Sequence, residues 1–322
     1  MKKPDPIEQA LERLADLRSQ TDAKVIAAEL GRALKDRSNL VVAKAAKLAG
    51  ELRVSEVIPE MVAAFERLMA NPAKLDKRCA ATFEIATTLY ALDYTEPEVY
   101  LKGIRHVQME ASFGPPVDEA AKLRAQCALG LVRTRHPQAM TAVADLLADK
   151  QPHARIGAIR ALATNGGEAG VLLLRYKALV GDDDPEVLAE CFSGLLAADF
   201  TRCLPFIAAF MDHDDEEVCQ SAILAIGAQR RVEAFEVLRE KWDRSVFSEI
   251  RGTLLSAIAM VRVDEATDFL VELLESSATS TAVEVVKVLA AYHREERVQD
   301  RVKKVIEARA SVPLSAAYEE SF

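Results

Sequence analysis

A single tryptophan stands among 322 residues, and aromatic side chains make up only 6% of the chain. That scarcity argues against a surface of stacked aromatic platforms, on which single-stranded nucleic acids are usually held. The formal charge of −9 argues the same way, because phosphate neutralisation by Lys and Arg dominates nucleic-acid affinity. No run of about 18 uninterrupted apolar residues is present, so no membrane span is expected. The segment from Met1 to Pro6 lacks the apolar core of a secretory signal, and a cytoplasmic location is expected. Five cysteines (Cys79, Cys127, Cys191, Cys203 and Cys219) include no Cys-x-x-Cys pair and read as small buried hydrophobes. Neither a phosphate-cradling Gly-x-x-x-x-Gly-Lys segment nor a Gly-x-Ser-x-Gly elbow occurs. No catalytic constellation, metal site or cofactor site is read, and the chain is expected not to be an enzyme.

What the chain has is a period. An apolar residue followed by steps of four, three and one recurs from Leu123, Ala154, Val187, Val218, Ile250 and Ala282, with weaker copies from Val42 and Arg78. Leu123, Cys127, Gly130 and Leu131 illustrate the rule. Such steps lie on one face of an α-helix. Small residues at the third step, such as Gly130, Ala161, Gly194, Ala225 and Ala257, allow neighbouring helices to approach closely. A second apolar-periodic stretch precedes each of these helices, so the unit is a helix pair. One pair cannot bury its apolar face alone, and stacking is required. The predicted fold is therefore all-α, an α-solenoid of about eight stacked helix pairs. It is expected to be continuous over residues 1–310, with a cap helix at 1–21, an irregular insertion at 92–118 and a closing helix at 294–310. Residues 311–322 are expected to form a flexible tail.

This pattern resembles the HEAT repeat, in the short bacterial form also found in phycobilin lyases. The Val-Arg-like opening of the second helix is kept as Leu123-Arg124, Ala154-Arg155 and Ile250-Arg251, and is lost at Val187-Leu188 and Val218-Cys219. The resemblance covers roughly residues 22 to 310 and implies an architecture that hosts many roles. Deoxyhypusine hydroxylase, another helical-repeat protein, carries His-Glu pairs for two irons. None of His106, His136, His153, His213 or His293 is followed by Glu.

Three surfaces are candidates for a partner. The inner stripe of the second helices should present Gln126, Arg133, Arg160, Glu190, Ser193, Ser221, Thr253 and Ser256. This surface is small and mixed-polar, and suits a protein segment. The insertion stretches one repeat to 45 residues. It should carry Lys102, His106 and Glu110 four apart on a helix running from Glu98 to Glu110, with Phe113 as an aromatic anchor on the stiff Gly114-Pro115-Pro116 turn. An acidic edge should gather Asp182, Asp183, Asp212, Asp214, Asp215 and Glu216, as a dock for a basic segment, as a weak divalent-cation site or, most simply, as helix caps in solvent. The expected function is a protein-interaction scaffold. A lyase-like chromophore-attachment or assembly factor is the first alternative, and a nucleic-acid binder the second.

Overall fold

The computed structural model describes residues 5–245 and 249–322. The first four residues of the expected cap helix lie outside them. The structure divides into two compact units, Met1–Val180 and Gly181–Phe322. Both are all-α stacks of helix pairs, as the period predicts.

The first unit runs α1 (Pro6–Asp16), α2 (Ala23–Ala33), α3 (Asn39–Glu51), α4 (Ile58–Met69), the single turn α5 (Pro72–Leu75), α6 (Ala80–Ala91) and α7 (Glu98–Gly103). A two-stranded hairpin follows, β1 (Met109–Glu110) and β2 (Val117–Asp118). Then come α8 (Ala121–Thr134), α9 (Ala139–Leu146), α10 (Pro152–Asn165) and α11 (Gly167–Val180). The helices that carry the four-three-one stripe pack on one another in chain order, α3 on α6, α6 on α8 and α8 on α10.

The second unit contains α12 (Pro185–Ala198), α13 (Phe200–Ala208), α14 (Glu216–Gly227), α15 (Val232–Arg244), α16 (Arg251–Val261), α17 (Asp264–Ser276), α18 (Thr279–Leu289), α19 (Glu296–Arg309) and α20 (Val312–Ser321). Its stripe-bearing helices again stack in order, α12, α14, α16 and α18. Among the described residues no helix is long and apolar enough to cross a membrane.

The stripe residues form the core. Leu123, Cys127, Leu131, Val187, Cys191, Leu195, Leu254 and Ile258 are fully buried. Small residues act as the period requires. A Cβ added to Gly130 would fall 2.2 Å from the ring of the buried Tyr100, so this glycine is the seat of that ring. In the second unit, a Cβ at Gly227 would meet the Ala257 carbonyl at 2.6 Å, which sets how closely α14 approaches α16. None of the five cysteines is in a disulfide, and all are buried. Burial, followed by the charge of Asp76, pushes the Cys79 thiol up to about 12.

The arginine that directly follows the first stripe residue has a repeated task. Arg124 donates to the His106 carbonyl at 2.8 Å, Arg155 to the Asp149 carbonyl at 2.8 Å and Arg251 to the Ser245 carbonyl at 3.0 Å. Each ties the preceding connection to the start of its own helix. A guanidinium suits this role because its donors sit in a fixed fork that cannot lose its charge.

The division between the two units falls at Gly181, where φ is +81°, inside what the period makes one helix pair. Two expectations are corrected. Residues 311–322 are not a flexible tail: α20 packs on α18 and buries Leu314 and Ala317. Pro313 lies in its first turn, where a proline costs no helical hydrogen bond. Finally, the insertion is not helical from Glu98 to Glu110, because α7 stops at Gly103 and the chain turns into the hairpin.

Candidate functional site

The insertion is built on a buried polar cluster in the first unit. Asp76 is wholly buried and accepts from the Ala81 and Thr82 amides and the Thr82 hydroxyl at 2.7–2.9 Å, capping α6 from outside the helix. Its carbonyl accepts from Gln108 Nε2 at 2.9 Å, and the same Gln108 nitrogen reaches Glu110 at 2.6 Å. Arg124, 3% exposed, holds Asp118 at 2.8 Å and Asp149 through two bonds of 2.9 Å. Burial alone would raise the Asp118 carboxyl. Hydrogen bonds from Arg124 and from the Gln108 and Ala120 amides outweigh it and hold that carboxyl below its ordinary value.

The base of the hairpin is therefore fixed on both strands, while its tip is free. Met109 pairs with Asp118, and Glu110 with Val117. The Ser112 hydroxyl donates to the Pro115 carbonyl at 2.7 Å and accepts from the Gly114 amide at 3.1 Å, closing the tip. Phe113 projects from it fully exposed. A hollow of about 490 Å³ lies beside the hairpin, lined by Arg78, Phe83, Val117, Lys122 and His153 among others.

The other insertion residues are engaged locally rather than aligned. Lys102 pairs with Glu66 on α4. His106 Nε2 lies 3.0 Å from Gln108 Oε1, and Glu110 accepts from the Arg78 amide at 2.6 Å. The four-residue spacing looked like a helical ladder because period alone cannot distinguish a helix from a chain that turns. Among the bracing residues, only Arg124 was visible in the sequence, through its dipeptide. Asp76, Gln108, Asp118 and Asp149 carry no local signal.

The inner-stripe residues divide between the units. In the first, Gln126 is half-buried and Arg160 exposed. Arg133 bonds Asp93 at 2.9 Å and lies 3.6 Å over the Tyr90 ring. In the second unit, Glu190, Ser193, Ser221 and Thr253 are half-buried, and Ser256 lines a cleft. This cleft has a volume of about 600 Å³ and opens at the C-terminal ends of α14, α16 and α18, with Met260, Val288, Arg230, Arg262 and Lys287 in its wall.

The acidic-edge residues of the second unit are largely committed to local structure. Asp182 accepts from the Asp184 amide at 2.9 Å, and Asp184 caps α12. Asp215 caps α14, and Glu216 accepts from Gln220 at 2.6 Å. Asp212 lies 2.7 Å from Lys241, and that hydrogen bond holds its carboxyl below the ordinary value. Asp183 and Asp214 are exposed.

No known family's sequence profile matches the chain, and no curated protein matches it. Similar solved structures exist. One is the complex of CpcE and CpcF of phycocyanin lyase from Nostoc sp. PCC7120, with 15% identity and a TM-score of 0.33, covering 89% of this chain and 95% of that one. Another is human deoxyhypusine hydroxylase in complex with glycerol, with 19% identity and a TM-score of 0.30, covering 80% of this chain and 91% of that one. These neighbours correct the expectation that the chain is not an enzyme, since one is named as a lyase and the other as a hydroxylase. Lack of a recognisable catalytic motif in a helical-repeat chain is no ground for denying it catalysis.

Proposed function

We propose that this chain is a protein-binding assembly factor of the lyase-like kind, built from HEAT-type repeats, which grips another protein with the Phe113 arm. The observation that carries the reading is an aromatic side chain held wholly in solvent at the end of a hairpin with a fixed base. Aromatic anchors dominate protein interfaces, and an arm ordered in advance loses little entropy on docking. Five buried cysteines outside any disulfide suit a cytoplasmic location.

A photo-reactive benzoyl-phenylalanine at position 113 tests the grip. Illumination in cells should give one dominant cross-linked protein, and Phe113→Ala should abolish its co-purification without changing the thermal midpoint. If position 113 gave no adduct while the same probe at the exposed Leu40 did, the arm would lose its role. Visible absorbance of the purified complex then separates an attachment factor, which carries a pigment or transfers one, from a simple holder.

A further inference from the structure

The cleft of the second unit has a chemical character of its own. The unit as a whole is strongly acidic, with 15 Lys and Arg against 28 Asp and Glu. Against that background the cleft wall carries three cations, Arg230, Arg262 and Lys287, and one acid, Glu284, 2.9 Å from Lys287. Its apolar part includes Met260, 40% exposed, and Val288. A basic and apolar hollow in an acidic body is a local exception, and long-range attraction does not explain it.

The two arginines also occupy an unusual backbone conformation. Arg230 and Arg262 follow α14 and α16 with φ of +48° and +55°, where glycine is the favoured residue. A cation near a helix C-terminus offsets the macrodipole, which accounts for one base at each helix end. It covers Lys287 as well, in the last turn of α18, but neither the apolar wall nor the meeting of three such cations in one hollow. Arg262 is steadied by Glu295 at 3.0 Å, the Ala291 carbonyl at 2.8 Å and the Tyr292 ring at 5.0 Å. Among the described residues, the exposed Arg230 side chain makes no hydrogen bond or ion pair.

We infer that this cleft receives an acidic, partly apolar segment of a partner protein, with carboxylates on Arg230, Arg262 and Lys287 and apolar side chains on Met260 and Val288. The occupant follows from charge complementarity. An anionic segment is repelled by the −9 chain at long range and is attracted only where cations gather, so the acidic body itself rejects indiscriminate binding of acids.

The test uses the intact chain and a fluorescein-labelled twelve-residue peptide of repeated Leu-Glu-Glu-Leu, followed by anisotropy at 50 and 300 mM NaCl. Saturable binding is expected, weakened about tenfold at the higher salt. Arg230→Gly should cost about fivefold in affinity and Lys287→Glu more. Arg230→Gly should keep or raise the thermal midpoint, since glycine suits the positive φ, so lost binding cannot be ascribed to unfolding. Phe113→Ala should bind the peptide normally, which separates the cleft from the arm. In a sample with 13C-methyl methionine, the Met260 resonance should shift on titration. The inference is overturned if the peptide does not bind, or if it binds Arg230→Gly and Lys287→Glu as well as the parent. It is overturned equally if a twelve-nucleotide dT strand binds as tightly, because charge alone would then be recognised.

Discussion

Replacing Arg124 by methionine should do more damage than any surface change to the insertion. The side chain is 3% exposed and keeps its stem volume in the variant, so the loss is almost purely of the guanidinium. Asp118 and Asp149, whose side chains are 8% and 16% exposed, would then lose their shared counter-ion, and the His106 carbonyl its donor. Leaving partners of a broken buried pair uncompensated costs about 3–5 kcal/mol. For a unit of this size, each kcal/mol corresponds to about 2–4 °C in Tm. Urea denaturation by circular dichroism measures the loss, and hydrogen exchange over residues 104–120 localises it. Adding Asp118→Asn and Asp149→Asn to the variant removes the stranded charges and should return about 1–2 kcal/mol. A single variant within about 1 kcal/mol of the parent, or a triple variant no better than the single, would refute the bracing argument.

Two further predictions bear on packing and on pH. Gly130→Ala should destabilise by about 1–3 kcal/mol through its collision with Tyr100, whereas Gly252→Ala, with open space around its new methyl, should stabilise by up to about 1 kcal/mol; paired urea titrations compare them. Asp118 has a depressed folded pKa, so its contribution is present above its ordinary value of 3.8 and is lost as pH falls below that value through the folded pKa. Protection of the Gln108 and Ala120 amides should therefore collapse in that acid range, and Asp118→Asn should remove the step.

The stripe of small and branched residues was enough to place the stacked helices, because each stripe residue answers to burial on one face. Leu123, Cys127 and Leu131 lie where a three-to-four period puts them. The hairpin was not legible. Its two-residue strands are too short for an alternating pattern, and its bracing comes from Asp76, 32 residues before Gln108, and from a pairing of Arg124 with Asp118 that no periodic pattern marks. Lys102, His106 and Glu110 kept a helical spacing across a chain that had already left the helix. The helix in the expected tail is hidden by Pro313, which breaks a helix except in its first turn, and that place depends on where α20 starts. The acidic run was visible as charge, but its use in capping α12 and α14 is a matter of geometry. Nothing in the sequence marks the left-handed Arg230 and Arg262, because helix ends of this kind are normally signalled by glycine.

The braced hairpin also bears on how such a chain can change. Bonds from Gln108, Glu110, Asp118 and Arg124 clamp both strands, whereas the stretch from Ala111 to Pro116 touches little beyond itself. Exposed loop tips tolerate substitution and insertion far better than the elements they join. The hairpin therefore works as a socket with an exchangeable tip. Six residues can be rewritten, lengthened or replaced by a foreign loop while the helical stack keeps its core, so the tip can diverge in sequence without a fresh folding problem.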